Sequence, residues 1–407
     1  MRPHPVTAFL TIALLASPAL ALDDAHAAKA GESAKKGVAF LKAAQDPQGS
    51  WGAADAKGEG QNPGVCGQTG LALSALLDQG LPRTDPAVKK GVDFLLSKAK
   101  PTGEIGEGAL QIYNTAIGLS ALSRLSDDPK VAQVIKLGQD FLVAHQWQAG
   151  MKDPNGNPVT EDHPFFGGSG YGGKHSRPDM SNTQFMLQAM HDTGADCDSP
   201  AMKRALVFLQ KNQGIASNKA LGEKIARDGG FIYSTTISGD PKKNLLGVPE
   251  SKASPELMDE AANGNRNISG LRTYGSMTYA GFKSYLYARL DRNDERVQAA
   301  LGWIKKNYSL DGNPGMEVDL KSGNHQRGLY YYYLTFSRAL HAWGSAELEL
   351  ADGKKVDWQN DLVDKLAALQ KADGSWSNAK NDWMESDPRL VTAYALIALN
   401  NALGLEK

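Results

Sequence analysis

Six apolar segments along the chain each run to a bulky hydrophobic end: Val38-Ala39-Phe40-Leu41, Val92-Asp93-Phe94-Leu95, Gln139-Asp140-Phe141-Leu142, Leu206-Val207-Phe208-Leu209, Leu301-Gly302-Trp303-Ile304 and Leu366-Ala367-Ala368-Leu369. Each lies among charged residues at helical spacing, the pattern of an amphipathic helix that buries one stripe. Several of these helices have a marked start, at Asp85-Pro86, Asp128-Pro129 and Asp198-Ser199-Pro200. There the aspartate can accept the free amides of the first turn while proline presets the first φ. A second set, over 67–77, 113–125, 181–190, 276–290, 330–340 and 390–403, is rich in alanine, glycine, serine and threonine. Small side chains let helices approach on all sides, so this set predicts an inner ring. The more charged set predicts an outer one.

The two sets alternate, which predicts an all-α fold: six helical-hairpin repeats closed into an α6/α6 toroid. Neighbouring hairpins bury each other's flanks, and closure removes the raw ends that an open superhelix, the plainer arrangement of the same repeats, would expose. The turns carry a repeat of their own. Gln45-Asp46-Pro47-Gln48-Gly49-Ser50-Trp51 and Gln370-Lys371-Ala372-Asp373-Gly374-Ser375-Trp376 stand near opposite ends of the chain. Their glycines allow a sharp reversal, and their glutamines and tryptophans are expected to pin adjacent outer helices. Two hairpins carry long insertions, 150–177 and 214–272, with Gly167-Gly168-Ser169-Gly170-Tyr171-Gly172-Gly173 in the first and Asp228-Gly229-Gly230-Phe231 in the second. Loops of this length in a repeat fold are usually functional, and these are expected to roof one mouth of the ring.

The Gln-x-x-x-Gly-Ser-Trp heptads resemble the QW motif of squalene-hopene cyclases, and the paired helices resemble those of the cyclases and of protein prenyltransferase β-subunits. The resemblance implies a single terpenoid cyclase/protein prenyltransferase-like toroid over 22–407. It implies activity much less, because one fold hosts many functions. The cyclases' Asp-x-Asp-Asp-Thr motif is met here by Asp179-Met180-Ser181-Asn182-Thr183, with Ser181 in the proton donor's place. A serine hydroxyl is no strong Brønsted acid. The prenyltransferases' zinc segments are met by Tyr274-Gly275-Ser276 and Tyr333-Leu334-Thr335, a poor ligand set, so no metal and no cofactor are expected. The thioester motif of complement-like toroids is met by Val65-Cys66-Gly67-Gln68, one residue short, which makes Cys66 a buried structural thiol.

Composition narrows the partners. The 407 residues carry 44 Lys and Arg against 45 Asp and Glu, a formal net charge of -1, which indicates no attraction to nucleic acid. Residues 1–21 begin with Arg2 and His4, continue through an apolar run from Ala8 to Leu15, and reach Ala19-Leu20-Ala21; this is the pattern of a secretory signal peptide. No later run reaches the ~20 apolar residues that a transmembrane helix needs. The expectation is export to the periplasm or beyond the cell. Two cysteines, Cys66 and Cys197, exclude a disulfide-dense scaffold.

If the inner helices begin at one mouth, their first turns line a shared hollow. The expected ligand-binding residues are Tyr113, Asn114, Asp179, Ser181, Asn182, Tyr274, Ser276, Tyr279, Tyr331 and Tyr332, with Cys66, Gln68, Thr69, Thr115, Thr183, Thr278, Thr392 and Tyr394 beside them. Of Tyr330-Tyr331-Tyr332-Tyr333, about two rings can face inward together. Neutral polar groups and aromatic rings suit a saccharide or peptide at least as well as an isoprenoid. Asp179 is the candidate catalytic residue, although a helix N-terminus would lower its pKa and make it a cap. Glu317, Asp319 and Asp387 are candidates for a second carboxylate. His163, His175 and His325, scattered in loops, are expected to be solvated. The expectation is therefore an exported toroid that binds a ligand or a protein partner through a tyrosine-rich cavity. The alternatives are a terpenoid cyclase or isomerase with an atypical acid, and a polysaccharide hydrolase or lyase.

Overall fold

A computed structural model describes residues 22–52, 62–173, 177–237, 246–317 and 323–406. The segment 1–21, His175 and Asp319 lie outside the described residues. Among the described residues there are 13 α-helices and one two-stranded hairpin, β1 (Glu347–Glu349) with β2 (Lys355–Asp357).

The inner ring consists of α2 (Val65–Asp78), α4 (Gln111–Leu122), α6 (Met180–Asp192), α9 (Gly275–Tyr287), α11 (Leu329–Trp343) and α13 (Pro388–Ala402). Each packs on the next, and α13 packs back on α2, so the ring closes. Nearly every residue of these helices is buried, as the small-residue composition requires. Around them lie α1 (Asp24–Ala43), α3 (Pro86–Lys98), α5 (Pro129–His145), α7 (Pro200–Lys211), α10 (Glu295–Lys306) and α12 (Trp358–Leu369). These bury one stripe each and leave charge outside. The aspartates before α3, α5, α10, α12 and α13 each accept a first-turn amide, as does Ser199 before α7.

The turns show why the heptads repeat. Gln45, Gln146, Gln213 and Gln370 each place Nε2 between a carbonyl of their own turn and one on the next outer helix, at 2.8 to 3.0 Å. Gly49, Gly103, Gly167, Gly229 and Gly374 all have φ between +85° and +99°. A Cβ on Gly167 would lie 1.8 Å from the Arg204 carbonyl oxygen, so glycine is required by contact as well as by φ. Trp51 and Trp376 donate Nε1 to Leu41 and Leu366, both at 2.8 Å, and so cap the outer helix they follow. Their rings fill the space that a Cβ on Gly91 or Gly37 of the neighbouring outer helix would need.

The described parts of both insertions carry structure of their own. In the second insertion the described residues, 214–237 and 246–272, carry helix α8 (Pro255–Ala262) and a cluster built on Ile225, Ile232, Val248 and Leu271, while Trp147, Val159, Phe165 and Phe166 form a second cluster. Thr235 Oγ1 stitches the second insertion to the first at the Pro164 carbonyl, and Ser234 Oγ ties it to the Pro178 carbonyl just before α6, both at 2.7 Å. Among the described residues no helix is long and apolar enough to cross a membrane.

Candidate functional site

The N-terminal ends of the inner helices, together with both insertions, surround a cavity of about 280 Å³. Five of the expected residues line it: Tyr113, Ser181, Tyr274, Ser276 and Tyr331. Gln68 and Tyr394 join them, as do Tyr171 and Tyr233 from the insertions. Their rings form a belt, running Tyr171 to Tyr113 at 6.1 Å, Tyr113 to Phe185 at 5.6 Å, Phe185 to Tyr331 at 6.0 Å and Tyr331 to Tyr394 at 6.1 Å. Burial pushes these phenols up, so all stay protonated at neutral pH.

The other expected residues have structural partners. Asn114 accepts from the Gly67 amide and donates to the Pro63 carbonyl, binding α4 to α2. Asp179 and Asn182 bond to each other: Oδ1 accepts the Asn182 amide at 2.9 Å and Oδ2 its side chain at 2.8 Å. Tyr279 is wholly buried against Tyr332 and Phe336, and Tyr332 donates its hydroxyl to Ser309. Thr69, Thr115, Thr183, Thr278 and Thr392 accept turn amides from Trp51, Ile105, Ser169, Phe231 and Trp376, so each hydroxyl faces its own hairpin instead of the hollow. One ring of the tyrosine run, Tyr331, faces inward.

Electrostatics correct the picture further. Asp179 caps α6 as expected, but its carboxyl is pushed up to about 6, because complete burial outweighs Arg177 and the Asn182 bonds. Of the proposed second carboxylates, Asp387 caps α13 and pairs with Arg389, while Glu317 accepts the Gly315 amide. Neither lines the cavity. His163 is buried, with Nε2 3.5 Å from Asp153, so it is not the solvated loop histidine expected; His325 is half-buried. Burial pushes the Cys66 thiol up to about 11, which disfavours the reactive thiolate.

The carboxylate in the wall, among the described residues, is Glu385. Its Oε1 accepts the Tyr331 amide at 2.8 Å and its Oε2 the Asn378 side chain at 2.7 Å. Burial pushes it up to about 7 against these bonds and against the amides that open α11. The preceding Trp383 and Met384 have φ of 54° and 65°, a backbone that side chains resist. That turn precedes the fully buried Glu385, and both it and the half-exposed Trp383 stand in the cavity wall. Leu110, Phe185, Met277, Met316, Met384 and Leu390 make the wall more apolar than the first turns alone suggest. Leu110, Met316 and Met384 come from outside the inner helices and Phe185 from the second turn of α6, while Met277 and Leu390 stand in first turns beside the polar residues of the expected list.

Below the cavity the axis is filled with charge. Lys283 is fully buried and donates to Gln184 and Gln188 at 2.6 Å each. Burial pushes it down to about 7. Deeper still, Arg124 binds Asp78 at 2.6 Å and Arg338 binds Glu406 at 2.8 Å, with Asp192 alongside. Among the described residues no three His, Cys, Asp or Glu side chains converge to hold a metal.

A variant of the type II terpene cyclase MstE from Scytonema superposes on this chain with a TM-score of 0.55, at 13% identity over 94% of this chain and 99% of that one. Another MstE variant, in complex with geranylgeranyl dihydroxybenzoate, gives a TM-score of 0.53 at 13% identity over 94% and 99%. A glycosidase variant gives 0.52, at 13% identity over 95% and 100%. No sequence family and no curated relative matches the chain. The chain has the terpenoid cyclase/prenyltransferase-like α/α toroid fold.

Proposed function

We propose that this chain is an exported binding toroid that admits a compact, largely apolar, ring-containing molecule to its aromatic cavity. In this reading 1–21 is the export signal, 22–407 is one domain, and the ring consists of six hairpin repeats. Closed packing from α2 round to α13 supports the count, although the turn after α10 lacks the glycine and threonine pairing of the other five. The observation that carries the functional reading is the belt of tyrosines, Phe185 and Trp383 around about 280 Å³. An apolar cavity of ~150 Å³ holds one benzene ring, so this one has room for roughly two fused rings. A geranylgeranyl chain like that in the terpene cyclase complex exceeds it. Rings edged with hydroxyls favour a molecule with one or two polar atoms over a saccharide or peptide.

A second reading is isomerisation with Glu385 as the atypical acid. A carboxyl near 7 is half protonated at neutral pH, suited to passing a proton next to a carbonyl and too weak to protonate an isolated alkene. Glycoside hydrolysis would need two carboxylates about 5 to 10 Å apart, and the described wall offers Glu385 alone. Ligand-observed NMR with naphthalene tests the binding reading: wild type binds it and Ser276→Trp, which fills the cavity, does not. Equal binding by both proteins would overturn the assignment.

A further inference from the structure

The floor of the cavity is the end of a hydrogen-bonded chain that starts at Lys283. Lys283 lies two turns below Ser276 on α9, with no exposure to solvent. Its neighbours are Gln184, Gln188 and Asp192 from α6, the Tyr287 ring from α9 at 5.3 Å, Arg338 from α11, and Glu406. The three cations Lys283, Arg124 and Arg338 are balanced by Asp78, Asp192 and Glu406.

An ammonium group only donates, so both glutamines must turn their oxygens toward it. Their amide nitrogens then point away. Gln188 Nε2 reaches Asp192 Oδ1 at 2.7 Å, an acceptor that demands the same orientation. Gln184 Nε2 points upward and donates to the Tyr331 hydroxyl oxygen at 3.2 Å. Tyr331, having accepted there, gives its one proton to Ser181 Oγ at 3.2 Å. Ser181 Oγ is thereby an acceptor within the chain, and its own proton is left for the cavity it lines.

We infer that Lys283 is a positioning residue that fixes the donor sense of the cavity floor, so that Ser181 offers a proton and the ligand carries an acceptor atom, such as a carbonyl, ether or ring nitrogen, at that point. This deepens the binding reading and rests on it. It also gives a role to the lone lysine of the inner helices, far below any surface.

Quinoline, indole and naphthalene share a size that suits the cavity, and they carry an acceptor, a donor and neither. Dissociation constants for the three, measured by ligand-observed NMR at pH 6, test the inference. Wild type should favour quinoline over indole by roughly five- to tenfold, the worth of one matched hydrogen bond. Lys283→Met frees Gln184 to present either end and should bring that ratio close to one, leaving naphthalene unchanged. Gln184→Glu replaces the upward donor with an acceptor, so Tyr331 turns its proton downward, Ser181 donates to Tyr331, and the preference should move toward indole. Ser181→Ala should reduce quinoline to the affinity of naphthalene. An unchanged quinoline preference in both Lys283→Met and Gln184→Glu, with naphthalene still bound, sinks the inference alone. Failure of wild type to bind naphthalene sinks the cavity reading and the inference together.

Discussion

Gln370 donates to the carbonyl of Ser33 at 2.9 Å, joining residues 337 positions apart. The same Nε2 also reaches Gly374 of its own turn at 2.9 Å. In Gln45, Gln146 and Gln213 this bridge links one hairpin to the next; in Gln370 it links the last to the first. The device that spaces the repeats therefore also shuts the ring.

Gln370→Ala should lower unfolding stability by about 1 to 3 kcal/mol, since two half-buried carbonyls lose their donor. Urea unfolding followed by circular dichroism checks this. Loss at the closure should also broaden the transition, because the ring then unfolds from a weakened joint, whereas a change below about 0.5 kcal/mol would show that packing alone closes it.

Gly167→Ala should be more damaging, by at least about 3 kcal/mol. The residue has φ of 85°, and its Cβ would collide with the Arg204 carbonyl, which belongs to the backbone of α7 and cannot move aside cheaply. Gly150, with φ of 91° and open space around it, should tolerate the same change with a loss near 1 kcal/mol. Thermal melts of the pair separate contact from conformation.

Glu385 gives stability a pH dependence of definite sign. Its folded value of about 7 lies above the ordinary 4.5, so between those limits the folded state holds a proton that the unfolded state has lost. Stability from this group is therefore present below about 4.5 and fades as pH rises to about 7, by up to about 3 kcal/mol. Asp179 adds a slope of the same sign from 3.8 to about 6. Urea midpoints for Glu385→Gln should show the upper part of that slope removed, with the Asp179 part retained; an identical profile in the variant would refute the assignment.

Thiol titration of the native protein at pH 8 should find Cys197, half-buried, reacting readily while Cys66 stays silent. Denaturant should then reveal the second thiol. Prompt reaction of both would mean that α2 opens far more easily than its buried packing indicates.

Much of the architecture was legible because helix pairs leave a local record. The Asp-Pro starts, the outer apolar stripes and the small-residue inner segments each encode one element, and the heptads encode the joint between two. The cavity was half legible. First turns named Tyr113, Ser181, Tyr274, Ser276 and Tyr331, since inner helices begin at the same end. The threonines beside them misled, because a hydroxyl in a first turn serves a neighbouring turn amide as readily as a ligand. The insertions are legible as a roof, but which of their residues reach the cavity, Tyr171 and Tyr233, depends on tertiary packing, as does the path of the loop that carries Glu385. Glu385 stands two positions before Asp387, and spacing alone does not say that the first follows a left-handed turn into the wall while the second caps α13. Lys283 did leave a signal, a charged residue in an otherwise neutral small-residue helix, with nothing in the sequence to say whether it was cavity or core.

The ion cluster under Lys283 turns the chamber into a cul-de-sac. On the proposed binding reading a guest cannot pass through that end, so its arrival and its departure both run through the opposite one, where the half-exposed Trp383 stands. A substitution at Trp383 is then expected to change the rate of exchange while leaving the fit at the floor untouched.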